Sequence, residues 1–376
     1  MTDENTNLTQ PKKSKFTKIR SWYARYERPI SSLSLIGGFV FDALTLKRVD
    51  LFWENFWVIA HLVIVGTCIV LVHAFEKSEG AETDSGKLHF WLVNIMQFFY
   101  GGIFSTFLVF YFRSGDIAVS WPFILLLVIC FWANESLKRH FVRLSFQISL
   151  FFLSVFSFAI FLVPVLLHKI GTGVFLLSGG LSLVFIALFL KLIQYTSKKE
   201  FQESKTIVYG GIAGIFVLVN VFYFTHIIPP IPLSLKDAGV YHSLYRNAQG
   251  NYVVAAETEG FKDFFNLYPD YHTVPGEAVY VYTAVFSPPS LNENIVHQWQ
   301  HQDAKTGKWS TVDVIPLVVV GGRDGGFRTY SEKTFNVAAG HWRVNVLTAG
   351  GQVIGRVRFN IVIVNAPPVV TQKINS

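Results

Sequence analysis

The feature that most limits what this chain can fold into is a set of apolar runs as long as a bilayer is thick, near residues 53–75, 90–112, 145–167, 172–195 and 206–228. A helix needs roughly 20 such residues to cross the hydrocarbon core, so each run is expected to span. Ile117 to Ala133 is shorter and carries Pro122 in its first turns, where proline is tolerated, and is counted as a further span. Ser31 to Leu46, with Gly37, Gly38 and Asp42, reads as a thin span, a re-entrant hairpin or an interfacial helix. Composition agrees, with 15% charged and 51% apolar residues, against about a quarter charged in soluble domains. The apolar excess lies before Pro229, and the chain beyond it reads as an ordinary polar domain.

The positive-inside rule chooses seven spans over six. Seven, with a cytoplasmic N-terminus, keep the basic start, Lys77, Lys87, Lys138, Arg139, Arg143, Lys198, Lys199 and Lys205 inside. Only Lys47, Arg48, Arg113 and Lys169 then lie outside, and the C-terminal domain is extracytoplasmic. A formal charge of +7 could point to nucleic acid, but Lys12, Lys13, Lys15, Lys18, Arg20, Arg25 and Arg28 cluster just ahead of the first apolar run. That placing suits anionic lipid, so the expected partner is the bilayer and not nucleic acid. The two cysteines, Cys68 and Cys130, sit inside apolar runs, which leaves the second domain without a disulfide framework. The expected order is a basic cytoplasmic segment over 1–30, a helical membrane domain over 31–228, a Pro-rich connector over 229–236, an all-β domain over 237–365 and a flexible tail over 366–376.

Trp53, Trp57, Trp91, Trp121 and Trp132 fall near span ends, as an aromatic belt does. Gly210 and Gly214 form a small-xxx-small step in the last span. It is read first as packing within the chain and second as a route to a homo-oligomer. Two ionisable groups lie deeper than the rest, Asp42 in the first segment and His61 in the second, both a turn or two below the outer surface. Such a pair can relay protons, bind a cation or serve a head-group reaction, and it can equally be one structural hydrogen bond.

After Pro229, Pro230 and Pro232 end the last helix, short alternating segments follow at 239–245, 252–257, 278–286, 295–301, 309–320, 327–334, 341–347 and 353–364, divided by Gly and Pro turns. About eight strands in such a length argue for an immunoglobulin-like β-sandwich, with a short helix in 258–276. Trp342, Val344 and Val346 share one strand face, which makes Trp342 a core anchor. His297 and His301 would sit about 13 Å apart on a strand and cannot share a metal. Gly321 to Gly326 is read as a hairpin loop rather than a phosphate cradle.

His297-Gln298-Trp299, Phe327-Arg328-Thr329-Tyr330-Ser331-Glu332-Lys333 and Gly340-His341-Trp342-Arg343-Val344 resemble the pattern of the bacterial family catalogued as domain of unknown function 2914, closely over about residues 297 to 364. The resemblance implies a membrane protein with an outward β domain and carries no assigned activity, and the membrane expected for the chain is a bacterial inner membrane. It marks Arg328, Tyr330, Ser331 and Lys333 as candidate surface-site residues, against their use in strand pairing and turns. No phosphate-binding loop, zinc-protease helix or nucleophile elbow is present in the sequence, and no cofactor is expected. The sequence is therefore read as a membrane-anchored binding or scaffold protein whose β domain engages an envelope protein or glycan. The alternative is an envelope enzyme or small-solute transporter using Asp42 and His61.

Overall fold

The computed structural model describes residues 37, 39–46, 51–75, 85–114, 116–136, 143–258, 266–289, 291, 293–335 and 337–375. The basic start, Lys47, Arg48, the acidic loop 76–84, Lys138 and Arg139 lie outside them.

Among the described residues seven helices precede eleven strands. The helices are α1 (39–45), α2 (Phe52–Phe75), α3 (Ser85–Ser114), α4 (Ile117–Ser136), α5 (Leu144–Leu167), α6 (Thr172–Thr196) and α7 (Lys198–Phe224). Five of them, α2, α3, α5, α6 and α7, are long and apolar enough to cross a membrane. The apolar part of α4, Ile117–Trp132, is shorter, and α1 is described over only seven residues.

Aromatic side chains fill the spaces between helices. Phe175 stacks on Tyr223 with centroids 3.7 Å apart, and Phe107 meets the edge of Phe161 at 5.6 Å. Polar pairs pin the helix ends. His73 at the end of α2 places Nε2 2.9 Å from Gln147 Oε1 on α5 and Nδ1 2.6 Å from Glu200 Oε1 on α7, while the Tyr100 hydroxyl of α3 donates to the Gln147 carbonyl at 3.0 Å. Away from that knot, Arg113 at the end of α3 donates to the carbonyls of Leu46 and Ala43 at 2.5 and 2.6 Å. The last carbonyls of a helix lack partners within it, and a cation is a favoured cap for them. The end of α1 therefore lies beside the end of α3, and the two helices run the same way.

The strands form three sheets. The central one is β1 (Ser234–Tyr241), β5 (Val279–Phe286) and β8 (Phe327–Lys333), in the order β1-β5-β8. A five-stranded sheet, β4-β10-β9-β6-β7, covers one face of it, built from β4 (Asp270–Thr273), β6 (Glu293–Gln302), β7 (Trp309–Val319), β9 (Gly340–Thr348) and β10 (Val353–Ile363). The outer sheet, β11-β3-β2, covers the other face with β2 (Ser243–Arg246), β3 (Tyr252–Glu257) and β11 (Val370–Asn375). The alternation in β5 explains the layering. Val279, Val281 and Val285 enter the core against the large sheet, while Tyr282 and Ala284 pack with Leu244 and Val254 of the outer sheet.

Several expectations change. The segment 239–245 is two strands in two sheets, because the chain breaks pairing at His242, whose ring meets Glu257 at 3.0 Å. Ser234, expected in the connector, already starts β1. The tail expected to be flexible supplies β11, which pairs antiparallel with β3 and satisfies its open edge. Of 258–276, where a short helix is expected, residues 259–265 lie outside the described residues, and the rest contains β4, which runs parallel to β10. The Gly321–Gly326 segment is no hairpin loop, since β7 and β8 belong to different sheets. It crosses between them with Gly322 and Gly326 at φ +99° and +84°, a conformation that side chains resist.

The β domain seats directly on helix ends. Ile170, between α5 and α6, packs with Leu233, Ile354 and Leu235, and Asp116, between α3 and α4, pairs with Arg358 of β10 at 3.3 Å. In the membrane half, Gly210 and Gly214 meet nothing within 4 Å, so packing among the described residues does not use them. Gly211 instead lies directly against Ser149 of α5. Gly211→Leu is accordingly expected to lower the melting temperature of the detergent-solubilised chain, through an overpacking cost of about 1–3 kcal/mol. Gly210→Leu and Gly214→Leu should leave it nearly unchanged, and thermal unfolding followed by tryptophan fluorescence checks the contrast.

Candidate functional site

The four β8 candidates do not lie together. Successive strand residues point to opposite faces, and pairing with β5 sets Ser331 opposite Val281 and Lys333 opposite Val279 on the side of the large sheet. Arg328 and Tyr330, opposite Ala284 and Tyr282, face the outer sheet. Ser331 and Lys333 are 4% and 7% exposed, so their expected surface placement is corrected. The cause is the dry space between two sheets, where small or well-paired polar groups are tolerated.

Ser331 belongs to a buried network. Trp299 Nε1 donates to Ser331 Oγ at 3.0 Å, His297 Nδ1 lies 2.9 Å from the same oxygen, and His297 Nε2 lies 3.0 Å from Thr283 Oγ1. A Ser331 proton directed at Nδ1 and an Nε2–H directed at Thr283 satisfy all of these groups with a neutral ring. Burial pushes the His297 pKa down to about 4. Lys333 is ion-paired with Asp313 and sits 6.0 Å over the Trp342 ring. A serine beside a histidine suggests nucleophilic chemistry, but the ring is fully enclosed and no substrate can reach it. Its work is to hold the two sheets in register.

The other face is different. Arg328 is 9% exposed, and its Nη1 is buried with no hydrogen-bond partner among the described residues. Tyrosines cluster on the same side of the central sheet, and Tyr282 feels the Arg328 charge. Tyr252 lies 5.7 Å from Tyr282 and 6.2 Å from Tyr330, Tyr280 lies 6.3 Å from Tyr330, and Tyr241 lies 6.3 Å from Tyr282, between ring centroids. Burial pushes the Tyr282 phenol up to about 12, with the nearby Arg328 guanidinium pulling the other way. Asp237, in register with Ala284 and so on the same face, makes no ion pair with Arg328. Tyr330, 37% exposed, is where the cluster opens to solvent. Tyr241, Tyr252, Tyr280 and Tyr282 were not singled out from the sequence. The one local signal is Tyr280-x-Tyr282 on β5, and the others come from strands far apart in the chain.

In the membrane half the structure brings Asp42 and His61 within electrostatic range, without an ion pair inside 4.0 Å. His61 Nδ1–H donates to the Trp57 carbonyl at 2.8 Å, and its ring lies edge-on to Phe99 with Nε2 against Gly102. A Cβ on Gly102 would stand 2.8 Å from that nitrogen, so glycine makes room for the ring. Ser105 lies beside the Asp42 carboxylate, buried and short of a well-formed hydrogen bond.

The motif residues His297, Trp299, Ser331 and Trp342 thus form one inter-sheet core. Residues 292–361 match the family model described as Protein of unknown function (DUF2914). The DUF2914 segment runs from the start of β6 almost to the end of β10 and coincides with the resemblance read from the sequence. It supplies four strands of the large sheet and β8. No curated protein matches the chain. Among solved structures, a β-glucosidase from Listeria innocua in complex with glucose shares 11% identity over 35% of this chain and 16% of its own, with a TM-score of 0.19. The alkylpurine DNA glycosylase AlkC of Pseudomonas fluorescens, bound to DNA containing an abasic site analog, shares 10% identity over 82% of this chain and 98% of its own, with a TM-score of 0.20. This chain spans about a sixth of that β-glucosidase, and likenesses of this size bear on neither fold nor activity.

The enclosed histidine makes stability depend on pH. In the folded state the ring takes a proton only near pH 4, against an ordinary value of 6.5. Protons therefore favour the unfolded state, and stability falls as pH drops from about 6.5 toward 4, by about 3 kcal/mol in all. Hydrogen exchange of β6 and β8 in the solubilised chain is expected to speed up over that window. His297→Gln should flatten the dependence while lowering stability at neutral pH.

Proposed function

We propose that this chain is a membrane-anchored binding protein of the bacterial cell envelope, whose extracytoplasmic β domain takes an acidic glycan on its tyrosine and arginine face. In this reading seven helices span the inner membrane from a cytoplasmic N-terminus, and the central and large sheets form an immunoglobulin-like sandwich with the outer sheet added. Helix direction supports the orientation. The ends of α3, α5 and α7 meet the β domain, while Arg143, Lys198 and Lys199 stand at the starts of α5 and α7, away from it. The open Gly210 and Gly214 face of α7 is left for lipid or a second copy.

The observation that carries the reading is the buried, unpartnered Nη1 of Arg328 on the strand face it shares with Tyr330 and Tyr282. An unmet buried donor costs on the order of 1–3 kcal/mol, and more when charged. An arginine fork is matched by the two oxygens of a carboxylate or phosphate. Tyrosine faces and hydroxyls add broad amphipathic contact at low entropic cost. An oxyanion on a ring-shaped, hydroxyl-rich ligand answers both. The test is in-cell photo-crosslinking from a reactive residue at position 330, with the adduct identified by mass spectrometry. A glycan adduct that Arg328→Gln weakens at least about tenfold is expected, from loss of a charge-assisted hydrogen bond. A protein adduct with the same dependence would replace the glycan by an envelope protein. Expression with outward exposure and no adduct would overturn the reading.

A second reading rests on the buried Ser105 hydroxyl beside Asp42, which leaves a polar group for a cation or proton to join. It has the membrane half carry solute or head-group chemistry through Asp42 and His61. Asp42→Asn is then expected to abolish the cellular phenotype of the intact gene, and its full retention in a growth assay would remove the reading.

A further inference from the structure

The large sheet turns its second face toward the helix ends. Antiparallel pairing sets Arg343 of β9 opposite Arg358 of β10, and Asn345 opposite Arg356, so three arginines share that face. Each is held in place. Arg343 donates from Nε to Gln300 Oε1 at 2.7 Å and lies 4.2 Å over the Trp309 ring. Arg356 donates from Nε to Asn345 Oδ1 at 2.5 Å, and Arg358 pairs with Asp116 at 3.3 Å. Among the described residues no acceptor takes a terminal nitrogen of Arg343 or Arg356.

Charge is out of balance here. Asp116 is the one carboxylate among the described residues that bears on the group, and its other oxygen caps α4 by accepting from the Ala118 N–H at 2.8 Å. Burial holds the pKa of both Arg343 and Arg356 below the ordinary arginine value, with repulsion from Arg356 adding to it at Arg343 and Asp116 pulling the other way at Arg356. The position is informative as well. Asp116 joins α3 to α4 where Phe112, Ile117 and Trp121 turn exposed apolar faces outward, so the arginines overhang a surface fit for acyl chains.

We infer that Arg343, Arg356 and Arg358 form a phosphate site that takes the head group of a phospholipid whose chains lie along α3 and α4. Guanidinium forks bind phosphate oxygens in pairs, and arginines at a membrane surface draw anionic lipid. The inference goes beyond the glycan face, which lies on another sheet, and rests only on the helices being spans. A lipid clamped there fixes the β domain against the bilayer.

The test uses the purified full chain in detergent, with native mass spectrometry after adding dioctanoyl phosphatidylglycerol. One retained lipid is expected, bound about thirtyfold more weakly by the Arg343→Gln/Arg356→Gln double variant. The Arg343→Lys/Arg356→Lys double variant, which keeps the charge and loses the forks, should bind between the wild type and the glutamine variant, and equal melting temperatures of the three separate loss of a site from loss of fold. Lipid that resists a large excess of inorganic phosphate supports a lipid as the source. Inorganic phosphate that binds alone and displaces the lipid overturns the lipid assignment in favour of a soluble anion. Equal lipid binding by the wild type and the glutamine variant overturns the site.

Discussion

One hydroxyl sets the arrangement of the β domain. Ser331 Oγ takes a hydrogen bond from Trp299 and shares another with His297 in the dry space between the central and large sheets. A strand's side chains alternate, so a slip of one residue would exchange its two faces. With Ser331 fixed inward, Arg328 and Tyr330 must face the outer sheet, and Lys333 must reach Asp313. The apolar groups around the network, Trp299, Trp342, Val344 and Phe359, supply the burial energy, and the hydrogen bonds decide which register receives it. The segment matching the DUF2914 model is centred on this arrangement.

The membrane half uses the same logic with different materials. Lipid is as apolar as leucine, so helices gain little from hydrophobic burial against one another and rely on close packing and polar pairs. Close packing comes from interlocked phenylalanines and from Gly211 and Gly179, which admit Ser149 and Phe216. The polar pairs sit at helix ends, with His73, Gln147 and Glu200 at one end and Arg113 with the carbonyls of α1 at the other. The β domain then rests on the second end through Ile170 and the Asp116 to Arg358 pair. Its two polar faces consequently differ. Arg343, Arg356 and Arg358 share the face that Asp116 reaches, whereas Arg328 is buried toward the outer sheet with Tyr330 exposed beside it.

Much of the fold was legible along the chain because it is local. The apolar runs match α2, α3, α5, α6 and α7 to within a few residues, with α3 and α7 extended at their polar starts, and the alternation in 252–257 and 353–364 is that of β3 and β10. What was misjudged is what depends on partners distant in sequence. Residues 366–376 carry few hydrophobic residues and read as a tail, yet β3 offers an unpaired edge more than a hundred residues upstream. Gly321 to Gly326 reads as a hairpin from its composition, and only the pairing of β7 with β6 and of β8 with β5 makes it a crossing.

By itself the sequence determined where long apolar helices stop and strands begin, and it brought out Arg328, Tyr330, Ser331, Lys333, Asp42 and His61, because span length and strand period are local properties. Only the tertiary structure decided which of them meet. It buried Ser331 and Lys333, gathered Tyr241, Tyr252, Tyr280 and Tyr282 with Tyr330 on the Arg328 side of the central sheet, and brought three arginines onto one face near Asp116. Strand order and layer stacking join residues that no window of sequence contains, and a guanidinium's surroundings are set by that stacking.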